Sequence, residues 1–180
     1  MSQISEQIVS RERVFSGVKV AVDRLKVRAD DGTVADRELV DHPGAVTVLG
    51  VLDDGRIVFI RNERFVVGKT LLELPAGTID EGEEPIVCAG REMIEETGYE
   101  AAEIEPLCSF YTTPGFSNEL MHVFVARGLK HVGQRLEPTE RITVEPMTMD
   151  AALAEAKAGR MDDGKTLASL LYYRAFYADS

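Results

Sequence analysis

Apolar and polar residues alternate near the start of the chain, as they do in strands with one exposed face. The alternation runs through Val14 to Val27, stops at the turn-forming Asp30-Asp31-Gly32, and resumes from Val34 to Val40. Two alternating runs joined by such a turn are typical of a β-hairpin. We therefore expect antiparallel strands at the start of the chain.

A second pair of strands follows, and its composition differs from that of the first. Ala45 to Leu52 is almost continuous in valine and leucine, Asp53-Asp54-Gly55 provides a turn, and Ile57 to Ile60 returns. Strands that are buried on both faces lose the polar alternation. These two strands are therefore predicted to lie at the centre of a sheet.

The clearest helix follows a short strand, Leu71 to Leu74, and an acidic loop. Pro85 suits the first turn of a helix, where its missing N–H costs nothing, and Gly98 suits the left-handed position after the last residue. Together they predict a helix from Pro85 to about Thr97.

The remaining sequence mixes strand and helix patterns. Strands are predicted over Glu103 to Phe110, Glu119 to Val125 and Ile142 to Met147, and helices over Met149 to Ala158 and Lys165 to Tyr177. A chain of 180 residues has room for one domain with a full core and a modest extension. We therefore expect one α/β domain with an added segment.

Composition and charge exclude several classes of protein. The hydrophobic content is 44%, and no apolar run approaches the ~18 residues that a membrane helix needs. A formal charge of −11 would repel nucleic acid phosphates. Met1 to Arg13 is polar and does not resemble a secretory signal, so a cytoplasmic location is expected.

The two cysteines give no sign of a cross-link or a zinc site. Cys88 and Cys108 lie among apolar neighbours and lack CxxC spacing. Both are expected to be reduced residues that fill space.

Three glutamates lie close together on the predicted helix. Glu92 and Glu96 are four residues apart and Glu95 lies beside them, so their carboxylates share one face. Like charges at this spacing repel each other unless something neutralises them, and their hard oxygen atoms suit Mg²⁺ or Mn²⁺. The alternative is a solvated acidic face, which charge runs often form.

The sequence around these glutamates favours the metal site. It contains, without a gap, the pattern Gly77-x5-Glu83-x7-Arg91-Glu92-Met93-x-Glu95-Glu96-x-Gly98-Tyr99. This pattern resembles the Nudix box, and only Tyr99 departs from it, at a position where a bulky aliphatic residue is usual. The predicted order of strand, loop and helix is also the order that the box requires.

The resemblance implies metal and catalytic roles for individual residues. Glu92 and Glu96 correspond to the main ligands of Mg²⁺ or Mn²⁺, and the carbonyl of Ala76 corresponds to a frequent third ligand. Glu95 and Arg91 correspond to supporting positions of the catalytic site.

Physical reasoning adds structural roles for Arg91 and Gly77. Arg91 can reach loop carboxylates such as Glu83 and hold the loop against the helix with a charge-assisted hydrogen bond. Gly77 is expected to let the backbone turn sharply so that the Ala76 carbonyl faces the ion, although a plain turn glycine is the alternative.

Segments on both sides of the box indicate the substrate. Upstream lie Arg64 and the segment Leu72-Glu73-Leu74-Pro75-Ala76-Gly77, and downstream lies Thr113-Pro114-Gly115-Phe116-Ser117-Asn118-Glu119. They resemble the ADP-ribose and nucleoside diphosphate sugar pyrophosphatase branch of the family. The resemblance implies substrate contacts by Arg64, Glu73, Pro114 and Glu119.

Departures from that branch leave the base preference open. Asn62-Glu63-Arg64 replaces the common Gln-Tyr-Arg triplet, and the chain has no tryptophan to stack on a nucleobase. An aromatic face could come from three residues that could equally serve in packing, Phe15, Phe65 and Phe116.

Asp162-Asp163-Gly164-Lys165-Thr166 resembles the branch's DAKT segment, and Lys165 is expected to be a surface residue or a helix-end support.

A general base is expected on a loop beyond the box. In the ADP-ribose branch this role often falls on a glutamate in a mobile loop, and the matching segment here is Glu137-Pro138-Thr139-Glu140-Arg141. Counting back from the strand at Ile142 favours Glu140, with Glu137 as the alternative. Exposed loop glutamates are often simply solvated, which is the second alternative for Glu140.

The resemblance also implies the overall organisation. The expected fold is an α/β Nudix sandwich of α/β/α layers with a mixed sheet, formed by residues 43–180, with residues 1–42 as an N-terminal antiparallel β extension. In this branch such an extension commonly crosses to a partner, so a homodimer is expected.

The expected reaction is metal-dependent hydrolysis of the diphosphate in ADP-ribose or a related nucleoside diphosphate sugar, to a nucleoside monophosphate and a sugar phosphate. One alternative is a Nudix enzyme for another diphosphate, such as a GDP-sugar, a dinucleoside polyphosphate or a cofactor. The other is a non-catalytic nucleotide sensor, because a fold does not determine a function.

Overall fold

The computed structural model describes residues 7–178, and its first sheet has three antiparallel strands. These are β1 (Ile8–Ser16), β2 (Ala21–Arg28) and β3 (Val34–Asp41). The expected hairpin is present as β2 and β3, which pair in register from Ala21 with Asp41 to Arg28 with Val34. The predicted strand Val14 to Val27 is wrong as a single element, because the chain turns where the Gly17 N–H donates to the Val20 carbonyl at 2.9 Å.

The second sheet has seven strands and a mixed topology. They are β4 (Ala45–Val51), β5 (Ile57–Arg64), β6 (Lys69–Glu73), β7 (Ala76–Thr78), β8 (Tyr99–Tyr111), β9 (Leu120–His131) and β10 (Ile142–Met147). The order is β10-β5-β4-β9-β8, with β6 on β5 and β7 on β4. β4 runs parallel to β9 and antiparallel to β5, which makes the sheet mixed. The short strand β7 was not predicted, because it exists only through its pairing with β4.

Three helices accompany this sheet, α1 (Pro85–Thr97), α2 (Met149–Lys157) and α3 (Gly164–Phe176). The bounds predicted for α1 are confirmed, and both signals act as expected. Pro85 occupies the start, and Gly98 has a φ of 74° while its N–H donates to the Ile94 carbonyl.

The buried strand β4 separates two hydrophobic clusters. Val46 and Val48 pack with Met93 of α1, whereas Leu49 packs with Leu170 of α3. Successive side chains of a strand point to opposite faces, so α1 covers one face of the sheet and α3 covers the other. The predicted α/β/α sandwich is therefore confirmed.

The chain forms two compact units. One comprises the chain up to Gly44 together with Tyr111–Leu120, and the other comprises Ala45–Phe110 and the chain from Met121 onward. In the first unit, β3 binds the second segment, since the Val40 N–H donates to the Phe116 carbonyl at 2.7 Å. The first six residues of the expected 1–42 extension lie outside the described part.

Ion pairs join the three strands of the first unit. Asp23 on β2 is almost fully buried and accepts hydrogen bonds from Arg11 and Arg13 of β1, and both arginines also reach Asp41 of β3. The bond from Arg13 is the main reason that the pKa of Asp23 is lowered, although burial opposes it. This network joins all three strands where the sheet has few buried apolar residues.

Within residues 7–178, none of the helices is long and apolar enough to cross a membrane. Both cysteines are free, as expected, and Cys88 is buried.

Candidate active site

Arg91 of α1 fastens the preceding loop to the helix. Its Nε and Nη2 donate to the two carboxylate oxygens of Glu83, each at 2.9 Å, as the sequence led us to expect. This bidentate bond is the main reason that the pKa of Glu83 falls to about 2. The loop between β7 and α1 is therefore held by an ion pair as well as by its turns.

The same guanidinium also holds two glutamates of its own helix. Its Nη1 donates to Glu92 at 2.6 Å and to Glu95 at 2.9 Å. The hydrogen bonds to Glu83, Glu92 and Glu95 together raise the pKa of Arg91. Arg91 thus supplies the positive charge that lets these carboxylates lie close together.

Glu96 is the most deeply buried carboxylate of the group, with 3% of its surface exposed. Burial is the main reason that its pKa rises to about 8, and the charges of Glu92 and Glu140 add to that rise. The Ala76 N–H, which donates to Glu96 at 2.8 Å, and Arg64 act in the opposite direction. A cation beside Glu96 would favour its ionised form.

Glu92 is buried as well, and its pKa is raised in the same way. Burial is the largest cause, Arg91 opposes it, and the charges of Glu95 and Glu140 reinforce it. The α1 helix therefore carries two buried carboxylates, Glu92 and Glu96, that are costly to ionise in the protein alone.

Gly77 is required by a close approach and not by a turn. It lies in β7 and is not among the glycines with positive φ, so the expected sharp turn at this residue is absent. A Cβ at this position would lie 1.9 Å from Oε1 of Glu92. Because Gly77 has no side chain, the Glu92 carboxylate can occupy the space where a Cβ would otherwise lie.

The end of α1 is held by a segment that sequence reasoning missed. The side-chain amide of Gln134 donates to the Glu96 carbonyl at 2.7 Å, and the Arg135 N–H donates to the Glu95 carbonyl at 2.9 Å. Both bonds satisfy carbonyls that a helix end leaves open. No motif marks Gln134, because its partner is 38 residues away in sequence.

Glu140 lies within electrostatic reach of the buried carboxylates, because its charge raises the pKa of both Glu92 and Glu96. Its own carboxylate accepts the Glu137 N–H at 2.8 Å, which closes a small turn in the loop. The loop joins the sheet directly after it, since the Glu63 N–H donates to the Arg141 carbonyl at 3.1 Å.

Arg64, Glu73 and Lys165 form a second charged group in the same unit. Arg64 donates to both oxygens of Glu73, at 2.8 and 2.7 Å, and the Lys165 ammonium donates to Glu73 at 2.5 Å. Of the two roles expected for Lys165, the surface position is wrong, since only 12% of its side chain is exposed. Support at a helix end agrees with its place in the first turn of α3 beside the capping Asp163. The charge of Glu96 helps to raise the pKa of Arg64, after the bond to Glu73, so Arg64 also lies within electrostatic reach of Glu96.

Two of the predicted substrate contacts, Pro114 and Glu119, lie in the other compact unit. Pro114 is exposed, and Glu119 accepts a hydrogen bond from the Thr112 hydroxyl at 2.5 Å. The three candidate aromatic residues Phe15, Phe65 and Phe116 are all exposed, so none of them packs in the core of the single chain.

The donors that the sequence predicted fit a divalent cation in their chemistry. Glu92, Glu96 and the Ala76 carbonyl offer only oxygen atoms, and the two carboxylates are buried beside each other's charge. Within residues 7–178, no three His, Cys, Asp or Glu side chains form a complete ligand group as they stand. The ligand set of Glu92, Glu96 and the Ala76 carbonyl stays a prediction.

Gly77→Ala should displace the Glu92 carboxylate without unfolding the protein, because the atom it meets is the end of a flexible side chain. We expect Mn²⁺ to bind roughly 10- to 100-fold more weakly, as when a metal ligand loses its support. Calorimetric titration with Mn²⁺ checks this.

Gly90→Ala is the matched control, because Gly90 lies in the same helix as Glu92 and its Cβ would lie at an ordinary 3.4 Å from Ile104. It should bind Mn²⁺ normally and gain about 0.5–1 kcal/mol of stability from the loss of a helical glycine. Equal Mn²⁺ affinity in the two variants would contradict the account of Gly77.

Comparison with known proteins identifies the family. The model of the NUDIX domain matches residues 41–170. An ADP-ribose pyrophosphatase of Bacillus subtilis (strain 168) is 36% identical over 174 residues, covering 96% of this chain and 94% of that protein. A methanol dehydrogenase activator of Bacillus methanolicus is 40% identical over 171 residues, covering 93% and 91%.

A solved structure supports the same fold. It is described as an ADP compounds hydrolase and has a TM-score of 0.82 at 20% identity, covering 94% of this chain and 92% of that one. The family model spans more than half of the chain, and the relatives match along nearly all of it. The chain therefore belongs to the Nudix family of hydrolases, as its sequence predicted.

Proposed function

We propose that the protein hydrolyses the diphosphate of ADP-ribose or a related nucleoside diphosphate sugar. The observation that carries this proposal is the presence, in one compact unit, of the buried Glu92 and Glu96 with Arg64 in electrostatic reach of Glu96. The similarity to an ADP-ribose pyrophosphatase along 96% of the chain supports this choice of substrate.

Glu92, Glu96 and the carbonyl of Ala76 would hold a divalent cation, and their hard oxygen atoms favour Mg²⁺ or Mn²⁺. The bound ion would supply positive charge against the diphosphate oxygens. Arg91 keeps Glu92 and Glu95 close together on α1, so its role in this proposal is to support the site.

The other residues have roles that follow from their charge and exposure. Arg64 keeps 40% of its side chain exposed, which allows it to bind a phosphate group of the substrate. Glu140 would accept a proton from the attacking water as the water oxygen bonds to phosphorus and the bridging P–O bond breaks. Glu140 then releases this proton to the leaving phosphate oxygen or to solvent, which restores its carboxylate. Substrate contacts by Pro114 and Glu119 stay predictions.

Two other functions remain distinguishable by experiment. Another Nudix substrate, such as a GDP-sugar or a dinucleoside polyphosphate, would use the same carboxylates with different contacts to the base. A nucleotide sensor would bind without cleavage, but the arrangement of Arg91 with Glu83, Glu92 and Glu95 is intact here, and this favours an enzyme.

We also propose that the protein forms a homodimer through its first sheet. All residues of β1 are exposed, and four of them are large and apolar, Ile8, Val9, Val14 and Phe15. β1 is an edge strand of its sheet. An exposed apolar edge strand favours association with a second chain.

The substrate proposal predicts that ADP-ribose yields AMP and ribose 5-phosphate in the presence of Mg²⁺. Mass spectrometry of the products from a panel of nucleoside diphosphate sugars, dinucleoside polyphosphates and nucleoside triphosphates checks this. Glu92→Gln and Glu96→Gln should lose most activity while remaining folded, because each loses a charged ligand and keeps its shape. Rapid cleavage of triphosphates without cleavage of ADP-ribose would contradict the proposal.

Glu140→Gln should lower kcat by roughly 10²- to 10⁴-fold with little change in KM, because a general base acts mainly in the transition state. Steady-state kinetics with ADP-ribose measure both constants. Glu137→Gln is the matched control on the same loop and should be nearly normal. A silent Glu140→Gln beside an impaired Glu137→Gln would assign the base to Glu137.

The dimer proposal predicts a mass in solution twice that of the chain. Light scattering after size exclusion measures it, and Phe15→Lys should shift the population toward monomer by placing a charge in the apolar surface. Leu171→Lys, at an exposed apolar position of α3, is the control. A monomeric wild-type protein at micromolar concentration would refute the dimer.

A further inference from the structure

Glu73 is the centre of the charged group that contains Arg64 and Lys165. Only 1% of its side chain is exposed. Arg64 uses both of its carboxylate oxygens, and Lys165 shares one of them. Burial opposes ionisation of Glu73, but the two cations outweigh it and its pKa is lowered. Since 40% of the Arg64 side chain is exposed, a substrate can contact Arg64 but not the buried Glu73.

The form of the Arg64–Glu73 bond determines which part of Arg64 is left for a ligand. Arg64 binds Glu73 through Nε and Nη2, which form one side of the planar guanidinium. The hydrogens of Nη1 and the second hydrogen of Nη2 form the outer end of the group. These can bind two oxygens of one phosphate while the bond to Glu73 remains.

Lys165 occupies a position that is unfavourable for a lysine unless it has an acidic partner. It is the second residue of α3, where the positive end of the helix dipole disfavours a cation. Asp163, which caps α3 by accepting the Thr166 N–H, also binds the Lys165 ammonium at 2.9 Å. Glu73 and Asp163 together offset the cost of burying this ammonium group.

The start of α3 is placed against the end of β6 by a separate bond. The Thr166 hydroxyl is buried and accepts the Leu74 N–H at 2.8 Å. Leu74 follows Glu73 directly, so this bond sets the separation between Lys165 and Glu73. The charged group therefore combines residues from β5, β6 and α3, and its members Glu73 and Lys165 are 92 residues apart in sequence.

We propose that Lys165 and Glu73 are positioning residues that hold Arg64 with its outer end available to a phosphate of the substrate. This inference rests on the proposed function and deepens it. Lys165 neutralises Glu73 and limits its movement, and Glu73 orients the Arg64 guanidinium. The predicted role of Glu73 as a direct substrate contact is replaced by an indirect one.

The inference makes a specific kinetic prediction for Lys165→Met. KM for ADP-ribose should rise about tenfold while kcat changes little, because a misplaced Arg64 loses a charged hydrogen bond to the bound substrate. Mn²⁺ affinity should be unchanged, since the metal ligands lie elsewhere. Lys165→Arg should restore most of the loss. Lys69→Met is the matched control, because Lys69 is exposed and pairs with Asp162.

A double-mutant cycle separates positioning from direct contact. If Lys165 acts only through Arg64, then Lys165→Met should have no further effect on KM in an Arg64→Met background. Additive effects would mean that Lys165 binds the substrate itself and would overturn the inference. If Lys165→Met does not fold, Lys165→Gln carries the same expectation, because it retains a hydrogen-bond donor and loses the charge.

Calorimetric binding of inorganic pyrophosphate without divalent metal tests the inference independently of turnover. We expect wild-type protein to bind it and Lys165→Met to bind it about tenfold more weakly. A wild-type protein that does not cleave ADP-ribose but shows this loss would refute the proposed function and keep the inference. Normal pyrophosphate affinity in Lys165→Met, or none in the wild type, would overturn the inference whatever the substrate.

Discussion

The contact of Arg91 with three glutamates is the interaction on which the candidate site depends. Glu83, Glu92 and Glu95 would repel one another if they were brought together without a cation. One guanidinium bonds all three, and in doing so it joins the loop before α1 to the helix itself. The loop and the carboxylates therefore share one partner, whose charge does not depend on pH in the ordinary range.

The buried carboxylate of Glu96 accepts its hydrogen bond from a backbone N–H and not from a guanidinium. Its hydrogen-bond donor is the Ala76 N–H of β7. Its raised pKa, mainly from burial, reflects an environment that a divalent cation would complete. Gly77 contributes by lacking a side chain, which lets β7 approach Glu92. The short strand β7 thus serves both carboxylates through its backbone.

Polar and charged side chains with partners distant in sequence connect the rest of this unit to the site. Glu73 at the end of β6 bonds Arg64 at the end of β5 and Lys165 at the start of α3. The side-chain amide of Gln134 donates to the backbone carbonyl of Glu96 at the C-terminal end of α1. Each contact satisfies a buried charge or an open backbone group, so the polar interior has partners where burial would otherwise be costly.

The sequence alone determined the features that depend on neighbouring residues. Pro85 and Gly98 marked the ends of α1, and the four-residue spacing of Glu92 and Glu96 placed two carboxylates on one face. Local signals suffice here because helix caps and helix periodicity act within a few residues.

Tertiary structure alone decided the environment of each group. Lys165, which the sequence placed at the surface or at a helix end, is a half-buried partner of Glu73, and Gly77 proved to be needed for space instead of a turn. These outcomes depend on segments that meet only after folding, and neither burial nor a distant partner leaves a periodic signal in the chain.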